Sequence, residues 1–507
     1  MSRASPDYDR HSLRPTVVHV GPGVFHRAHQ AVYNDDLLRS GATVGAIWAV
    51  SLRSADVHDA LARDDFCYPL IERTSDGSAD RRVVESVRTV GSILGITVAA
   101  RECDRALARL VDPEVTVVTI SVSEKGYCAV EPGGALDLTR PEIVHDLTDP
   151  TTPRSLPGLL LEALHRRRSS GAEPFTIVSC DNLPSNGKAV ARVVGELAEH
   201  RDPAFGTWVA GNVAFPSSMV DRMVPTTTEA DREWCRTHGL SDAWPVVTEP
   251  FSQWVLEDVF PTGRPDWGHV GVELVSDVSL HERAKLRILN AAHSALAYWG
   301  ALAGHEFIWQ AAHDAVLRAA TVDLVEHEVI PTLETPHGWD LQRYADEVIS
   351  RFGNRALPYA TAKVAGDGSQ KLPVRLMQTA TAPATANRPR HRTAQVLAAW
   401  LAVMVGPASS ALAVEDTSLE HGPGAEIIRR RRSGFLMVDE AIQLLWVVPG
   451  FLSSTRPGDR AMSDAVAVAA EQFWHRDPRS VLAATVEPSP AEPPPRYPSP
   501  TRQDTSA

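Results

Sequence analysis

The pattern of apolar and polar positions along this chain changes character near residue 275. Before that point short β-branched runs alternate with helical patterns; after it, apolar residues recur at helical spacing in long Ala/Leu-rich stretches with few strand signals. The strands predicted in the first part are Val17 to Val20, Ala46 to Leu52, Val115 to Val122 and Phe175 to Ser179, with helical stretches such as Leu159 to Arg168 between them. A strand followed by an amphipathic stretch is predicted from Val246 to Asp258, and Val213 to Pro225 is mostly apolar around one Asp221-Arg222 pair. Alternation of this kind predicts an α/β fold with a parallel sheet covered on both faces. The later part is predicted to be mostly α-helical, with Leu286 to Leu302, Ala394 to Val405 and Val438 to Val447 as its clearest helices. The expected organisation is therefore an α/β domain over residues 1–275, a helical domain over 276–486, and a disordered Pro-, Ser- and Thr-rich tail over 487–507.

The first strand runs into Gly21-Pro22-Gly23, and a helical pattern follows from Phe25 with Gly41 as its stop. Strand, glycine turn and helix open a dinucleotide-binding βαβ unit, in which the glycines let backbone N–H groups approach a pyrophosphate. The third glycine position of that motif holds His26. Gly21, Gly23, Phe25 and His26 are the candidate cofactor contacts at this turn. After the second strand come Arg53 and Asp56. An acid there suits the ribose hydroxyls of NAD and an arginine the 2′-phosphate of NADP, so the pair leaves that choice open. Beyond the carboxyl ends of the later strands lie Ser123 to Tyr127 and Cys180-Asp181-Asn182, where ligands of parallel sheets bind.

Chemistry concentrates in His281 to Gly300, an Ala- and Leu-rich helical stretch that also carries Glu282, Lys285, Asn290 and His293. At 100° per residue these four fall within an arc of roughly 140° on one side of the helix. Burying a lysine, an amide and an imidazole together costs several kcal/mol unless each is paired, so the group reads as functional. Lys363, Lys371 and Arg375 lie between later helices and suit an anionic or hydroxyl-rich ligand, or a solvated face.

Composition narrows the classes. A net charge of -13 argues against nucleic acid as a main partner. The five scattered cysteines form no CxxC pair, which signals neither a disulfide framework nor a zinc site and fits a reducing cytoplasm. No apolar leader and no run of 18 apolar residues is present, so neither secretion nor membrane spanning is expected.

Taken together, GPGVFHRAHQAVY (from Gly21), SEKGYC (from Ser123), SCDN (from Ser179), FPSSMVDR (from Phe215), EPFSQWVLED (from Glu249), KLRILNAAHSALAY (from Lys285) and DGSQKLP (from Asp367) resemble the polyol-specific long-chain dehydrogenases. This is the family of mannitol 2-dehydrogenase and fructuronate reductase. The resemblance implies a Rossmann-type NAD-binding domain followed by a helical domain, with metal-independent catalysis between them. It implies Lys285 as general acid/base, Asn182 and Asn290 as amides polarising the reacting oxygen, and His293 as the active-site histidine. Asp221, Lys363 and Lys371 match substrate-facing positions, while Glu124 and Glu282 match carboxylates near the lysine's proton path. Lys363 stands where arginine is common, and Arg355 where proline is usual. SEKGYC and DGSQKLPVR look closer to the fructuronate reductase branch, and a uronate carboxylate suits Lys363, Lys371 and Arg375. Mannitol 2-dehydrogenase or another polyol dehydrogenase is the alternative; an inactive sugar or nucleotide sensor on the same scaffold is a remote one. The expected partner is a small sugar acid or polyol, with NAD as cofactor and NADP not excluded. Oligomeric state stays open.

Overall fold

The computed structural model describes residues 6–75, 83–131, 133–382, 390–412, 414–431, 435–456 and 458–484. The tail expected from 487 onward lies outside them. The chain forms two compact units. The first comprises residues up to Leu289 together with Leu333–Tyr359, and the second Asn290–Thr332 together with residues from Ala360 onward. The division falls inside the Lys285-bearing helix, later than the change of texture near residue 275.

Eleven strands occur among the described residues of the first unit: β1 (Val17–Val20), β2 (Ile47–Ser51), β3 (Tyr68–Ser75), β4 (Val83–Val90), β5 (Ile93–Val98), β6 (Val117–Ile120), β7 (Thr176–Ser179), β8 (Ser218–Asp221), β9 (Val246–Thr248), β10 (Gln253–Glu257) and β11 (Glu273–Val275). Five of them make an all-parallel sheet in the order β5-β2-β1-β6-β7. Its strands are buried almost throughout, as a sheet covered on both faces requires. Val18, Val20, Val118 and Ile120 pack into one apolar cluster, Val17, Ile47 and Val117 into another. The order reverses at β1, and the carboxyl ends of β1 and β6 open the crevice where such sheets take ligands. This is a Rossmann-type sheet.

Two three-stranded sheets are absent from the expectation: β11-β10-β8 and β4-β3-β9. The stretch Val246 to Asp258 supplies one strand to each, so the amphipathic stretch expected in its second half is itself a strand. The single helix expected after Gly23 is broken at His29, whose backbone leaves the helical region (φ −126, ψ −89) between Val24–Ala28 and Gln30–Arg39. There the His29 ring bonds the Gln253 carbonyl and the Gln30 amide. Asp221 and Arg222 do not pair with each other. Successive residues along an extended backbone point to opposite faces; Arg351 takes Asp221 and Glu72 takes Arg222.

The described part of the second unit is helical. Ala291–Leu302 and Asp459–His475 both pack on the buried helix His391–Val405. Arg392 at the start of that helix is held by Asp323, Gln395 and the Leu482 carbonyl. The predicted helix Val438 to Val447 is two short ones, Val438–Ala441 and Gln443–Val447. Gly368 sits so close to Trp400 and Tyr298 that a Cβ would lie 2.5 Å from the indole nitrogen and 2.4 Å from the phenol oxygen. Among the described residues no helix is long and apolar enough to cross a membrane.

Candidate active site

The end of β1 is shaped for close approach. Gly21 has φ +96, and a Cβ there would lie 2.1 Å from the Ser121 carbonyl oxygen at the end of β6. No other residue fits. Gly23 has only one heavy atom near its missing Cβ, at 3.9 Å, so space remains above the turn. Beneath it His19 Nε2 meets the Gly21 carbonyl at 3.1 Å and Nδ1 meets the Thr119 hydroxyl at 2.8 Å. An open cleft of about 490 Å³ follows, lined by Gly21, Gly23, Ser51, Arg53, Ser123 and Lys125 among others. The glycine cradle and its polar rim suit a dinucleotide.

The other expected cofactor residues behave differently. Arg53 lines the cleft and pairs with Glu142. Asp56 lies outside the lining, because it opens the helix Asp56–Leu61 and its carboxylate accepts the Ser54 hydroxyl at 2.7 Å. His26 is fully buried and stacks on His19 with ring centroids 3.4 Å apart; Phe25 stacks on His29. Both rings support the turn from inside. Burial holds the imidazoles of His19 and His26 well below the usual histidine range.

Lys285 is buried within the first unit. Its Nζ donates to Asn182 Oδ1 at 2.8 Å and to the Val220 carbonyl at 2.7 Å. Asn182, exposed just past β7, is thereby oriented with its Nδ2 donor turned away from the ammonium. Glu282 accepts the Ser185 N–H at 2.8 Å, and burial raises its carboxyl above the ordinary range. Glu124 is exposed on the turn Glu124–Tyr127. Asp221, at the end of β8, is gripped by both terminal nitrogens of Arg351 at 2.7 and 3.1 Å. The helix itself is irregular here: Ser279–Ala284 is α, Lys285–Asn290 is a π-turn, and Ala291–Leu302 is α again. Such single π-turns are frequent at functional sites.

In the second unit Asn290 is buried, and its Nδ2 has no hydrogen-bond partner among the described residues. A buried unmet donor costs about 1–3 kcal/mol, which a ligand oxygen would recover. His293 follows on the helix Ala291–Leu302. Arg375 lies in another π-turn, Pro373–Met377, one more being Leu324–Val329; its Nη1 reaches Ser294 Oγ at 2.9 Å and the Asn290 carbonyl at 3.5 Å. Burial pushes its guanidinium down to about 10. Lys371 donates to the Gly366 carbonyl at 2.5 Å, and Lys363 is exposed.

Two family models match the chain: the mannitol dehydrogenase Rossmann domain over residues 15–269, and the mannitol dehydrogenase C-terminal domain over 277–439. The chain belongs to the mannitol dehydrogenase family. Among its members, the chain is 41% identical to the uncharacterized oxidoreductase YeiQ of Escherichia coli over 74% of this chain and 75% of that one. It is 35% identical to the D-mannonate oxidoreductase of the same organism over 95% and 98%. The mannitol 2-dehydrogenase of Pseudomonas fluorescens, solved as a ternary complex with NAD and D-mannitol, superposes with a TM-score of 0.81 at 32% identity, covering 94% and 96%. The protein is thus an oxidoreductase of CH–OH groups from a family of polyol and sugar-acid enzymes.

Within this mannitol dehydrogenase fold, sequence reasoning missed Arg351 and Glu249 and gave Asp181 no role of its own. Arg351 and Glu249 brace Asp221, and nothing local in RFGNR announces a partner 130 residues away. Asp181 stands next to Asn182; it accepts Val122 N–H at 2.8 Å and the Tyr127 hydroxyl at 2.5 Å. Burial pushes its carboxyl up to about 7. Its place after a strand was a usable signal; its burial was not visible.

Proposed function

We propose that this protein interconverts D-mannonate and D-fructuronate with NAD, using Lys285 as general acid/base. The observation that carries the sugar-acid reading is Arg375. Its guanidinium is mostly desolvated, it donates to a hydroxyl and a carbonyl, and among the described residues no carboxylate pairs with it. A substrate carboxylate would complete such a group by charge-assisted hydrogen bonds. The 35% identity to a D-mannonate oxidoreductase over nearly the full length supports the same substrate class.

In the oxidative direction the Lys285 amine takes the hydroxyl proton of the substrate. The Asn182 carbonyl and the Val220 carbonyl hold Nζ while it does so. The amide Nδ2 of Asn182 donates to the developing alkoxide; the roles of second amide donor and active-site histidine go to Asn290 and His293 on the family resemblance. Glu282 receives the proton from Lys285 and passes it outward, with Glu124 further along. In reduction the steps reverse and Lys285 protonates the oxygen. Asp221, Lys363 and Lys371 bind substrate hydroxyls in this reading. A bound nicotinamide dinucleotide supplies the hydride acceptor, and Gly21, Gly23 and the cleft beyond them hold it. NAD is favoured by the Pseudomonas relative's complex. Arg53, Arg140 and Arg154 around the cleft support NADP as a second reading, since each can meet a 2′-phosphate.

Initial rates with D-fructuronate and D-fructose, each with NADH and NADPH, test the proposal. D-fructuronate with NADH is expected to give the higher kcat/KM, and Arg375→Met to lower it at least 30-fold while changing the fructose value less than 3-fold. A preference for fructose that Arg375→Met leaves intact overturns the sugar-acid reading in favour of a mannitol 2-dehydrogenase.

A further inference from the structure

The Arg351 side chain grips two carboxylates, one of them on the strand whose Val220 carbonyl holds Lys285, and the reaction scheme above gives it no task. It projects from the helix Leu341–Phe352, within the segment that returns to the first unit. Its Nη1 and Nη2 hold both oxygens of Asp221, while Nε and Nη2 hold both oxygens of Glu249 at 3.0 and 2.7 Å. Its guanidinium lies 3.8 Å from the centroid of the Phe251 ring. All three ionic side chains are nearly buried, with side-chain exposures of 10%, 5% and 3% for Arg351, Asp221 and Glu249. Asp221 directly follows Val220, whose carbonyl accepts a hydrogen bond from Lys285 Nζ.

We infer that Arg351 is a positioning residue that acts on Lys285 through Asp221, fixing the end of β8 on which the lysine is seated and cancelling a carboxylate charge that would otherwise hold it protonated. Two consequences of the geometry lead there. A bidentate grip on Asp221 locks the backbone at the last residue of β8, and with it the carbonyl preceding that residue. A lone carboxylate beside a lysine favours the ammonium form, which is the wrong form for a base. The groups facing Lys285 include Glu282 from its own helix and His29, whose ring feels both Lys285 and Asp221. Those facing Asp221 are Arg351, Glu249, Tyr33, Tyr344 and Tyr359. The only cation gripping that carboxylate is Arg351 among the described residues, and the tyrosines are kept neutral by burial. The inference rests on Lys285 being the base, as proposed above.

The test is the pH profile of kcat/KM for alcohol oxidation, on whichever of D-mannonate and D-mannitol is turned over, with the full-length protein. In Arg351→Met the acid limb is expected to move at least one pH unit upward, so that a loss of ten-fold or more at pH 7.5 is largely recovered near pH 10. Arg351→Lys keeps the charge and is expected to keep the wild-type limb at a lower plateau. Glu249→Gln removes an acid and leaves Arg351 to Asp221 alone, so its limb is expected to move downward; it also serves if Arg351→Met fails to fold, as a thermal melt would show. An unmoved limb in Arg351→Met with a uniform loss of rate, or an upward shift in Glu249→Gln, overturns the inference. Lys285→Ala separates the two claims: retained turnover overturns the base assignment itself, whereas lost turnover together with an unmoved Arg351→Met limb overturns only the role of Arg351.

Discussion

Replacing His19 with glutamine should make the protein less stable at neutral pH and yet less sensitive to acid. His19 lies wholly buried on β1, with Nε2–H donating to the Gly21 carbonyl and Nδ1 accepting the Thr119 hydroxyl. Both ring nitrogens are satisfied in that neutral tautomer. A second proton would displace the Thr119 donor and put a charge 3.4 Å from the stacked ring of His26. Burial accordingly lowers the His19 imidazole to about 3, against an ordinary value of 6.5. Between those values the unfolded chain binds the proton and the folded chain does not, so stability is present above 6.5 and is lost as pH falls toward 3. The gap at pH 5 is about 1.5 pKa units, which at 1.36 kcal/mol per unit comes to about 2 kcal/mol. Glutamine does not titrate. The difference in unfolding free energy between wild type and His19→Gln, measured by urea unfolding at pH 7.5 and at pH 5.0, should therefore shrink by about 2 kcal/mol at the lower pH. Taking the difference cancels groups such as Asp181, whose raised carboxyl works in the opposite sense. A difference that is the same at both pH values would refute the buried-neutral reading of His19.

Other expectations follow from the same cradle and its support. In Gly21→Ala the added Cβ meets the Ser121 carbonyl at 2.1 Å in a left-handed backbone, so a loss of about 1–3 kcal/mol is expected. Dinucleotide affinity by titration calorimetry should fall at least ten-fold; a Kd within two-fold of wild type would contradict the assignment of the cleft. Arg167 is buried and donates to the carbonyls of Leu110, Asp112, Val115 and Glu173, closing the loops around β6 and β7. Arg167→Met orphans those carbonyls, and a loss of about 3 kcal/mol or more in urea unfolding is expected; a loss below about 1 kcal/mol would show that water replaces the guanidinium.

The parallel sheet is legible in the sequence where a strand is buried on both faces and bounded by turn residues. Val17–Val20 is read residue for residue, and β2, β6 and β7 within two residues at either end. The fifth strand is not, because Val83 to Val98 is one β-branched stretch broken only at Gly91-Ser92, where the chain leaves one sheet for another. The two small sheets are invisible for a related reason: β3 meets β9, and β8 meets β10, across long separations that no local pattern encodes. The same limit hides Arg351, since an ion pair formed 130 residues apart leaves no periodicity behind.

The Lys285 helix carries the sharper lesson, because there the polar residues were read on an α-helical geometry that the chain does not keep. An unbroken α-helix turns 500° between Lys285 and Asn290 and leaves them about 140° apart around the axis. They are the two extremes of the polar arc. The helix is instead a π-turn from Lys285 to Asn290, and its i→i+5 hydrogen bonding makes five residues span about one turn. The two ends of the arc are thereby drawn toward one line along the helix, narrowing a broad polar face into a stripe. That distortion sacrifices regular hydrogen bonding in an otherwise apolar, Ala-rich helix, where no proline or glycine forces it. What the distortion changes is the polar stripe itself, which carries the lysine proposed above as proton carrier at the start of the π-turn.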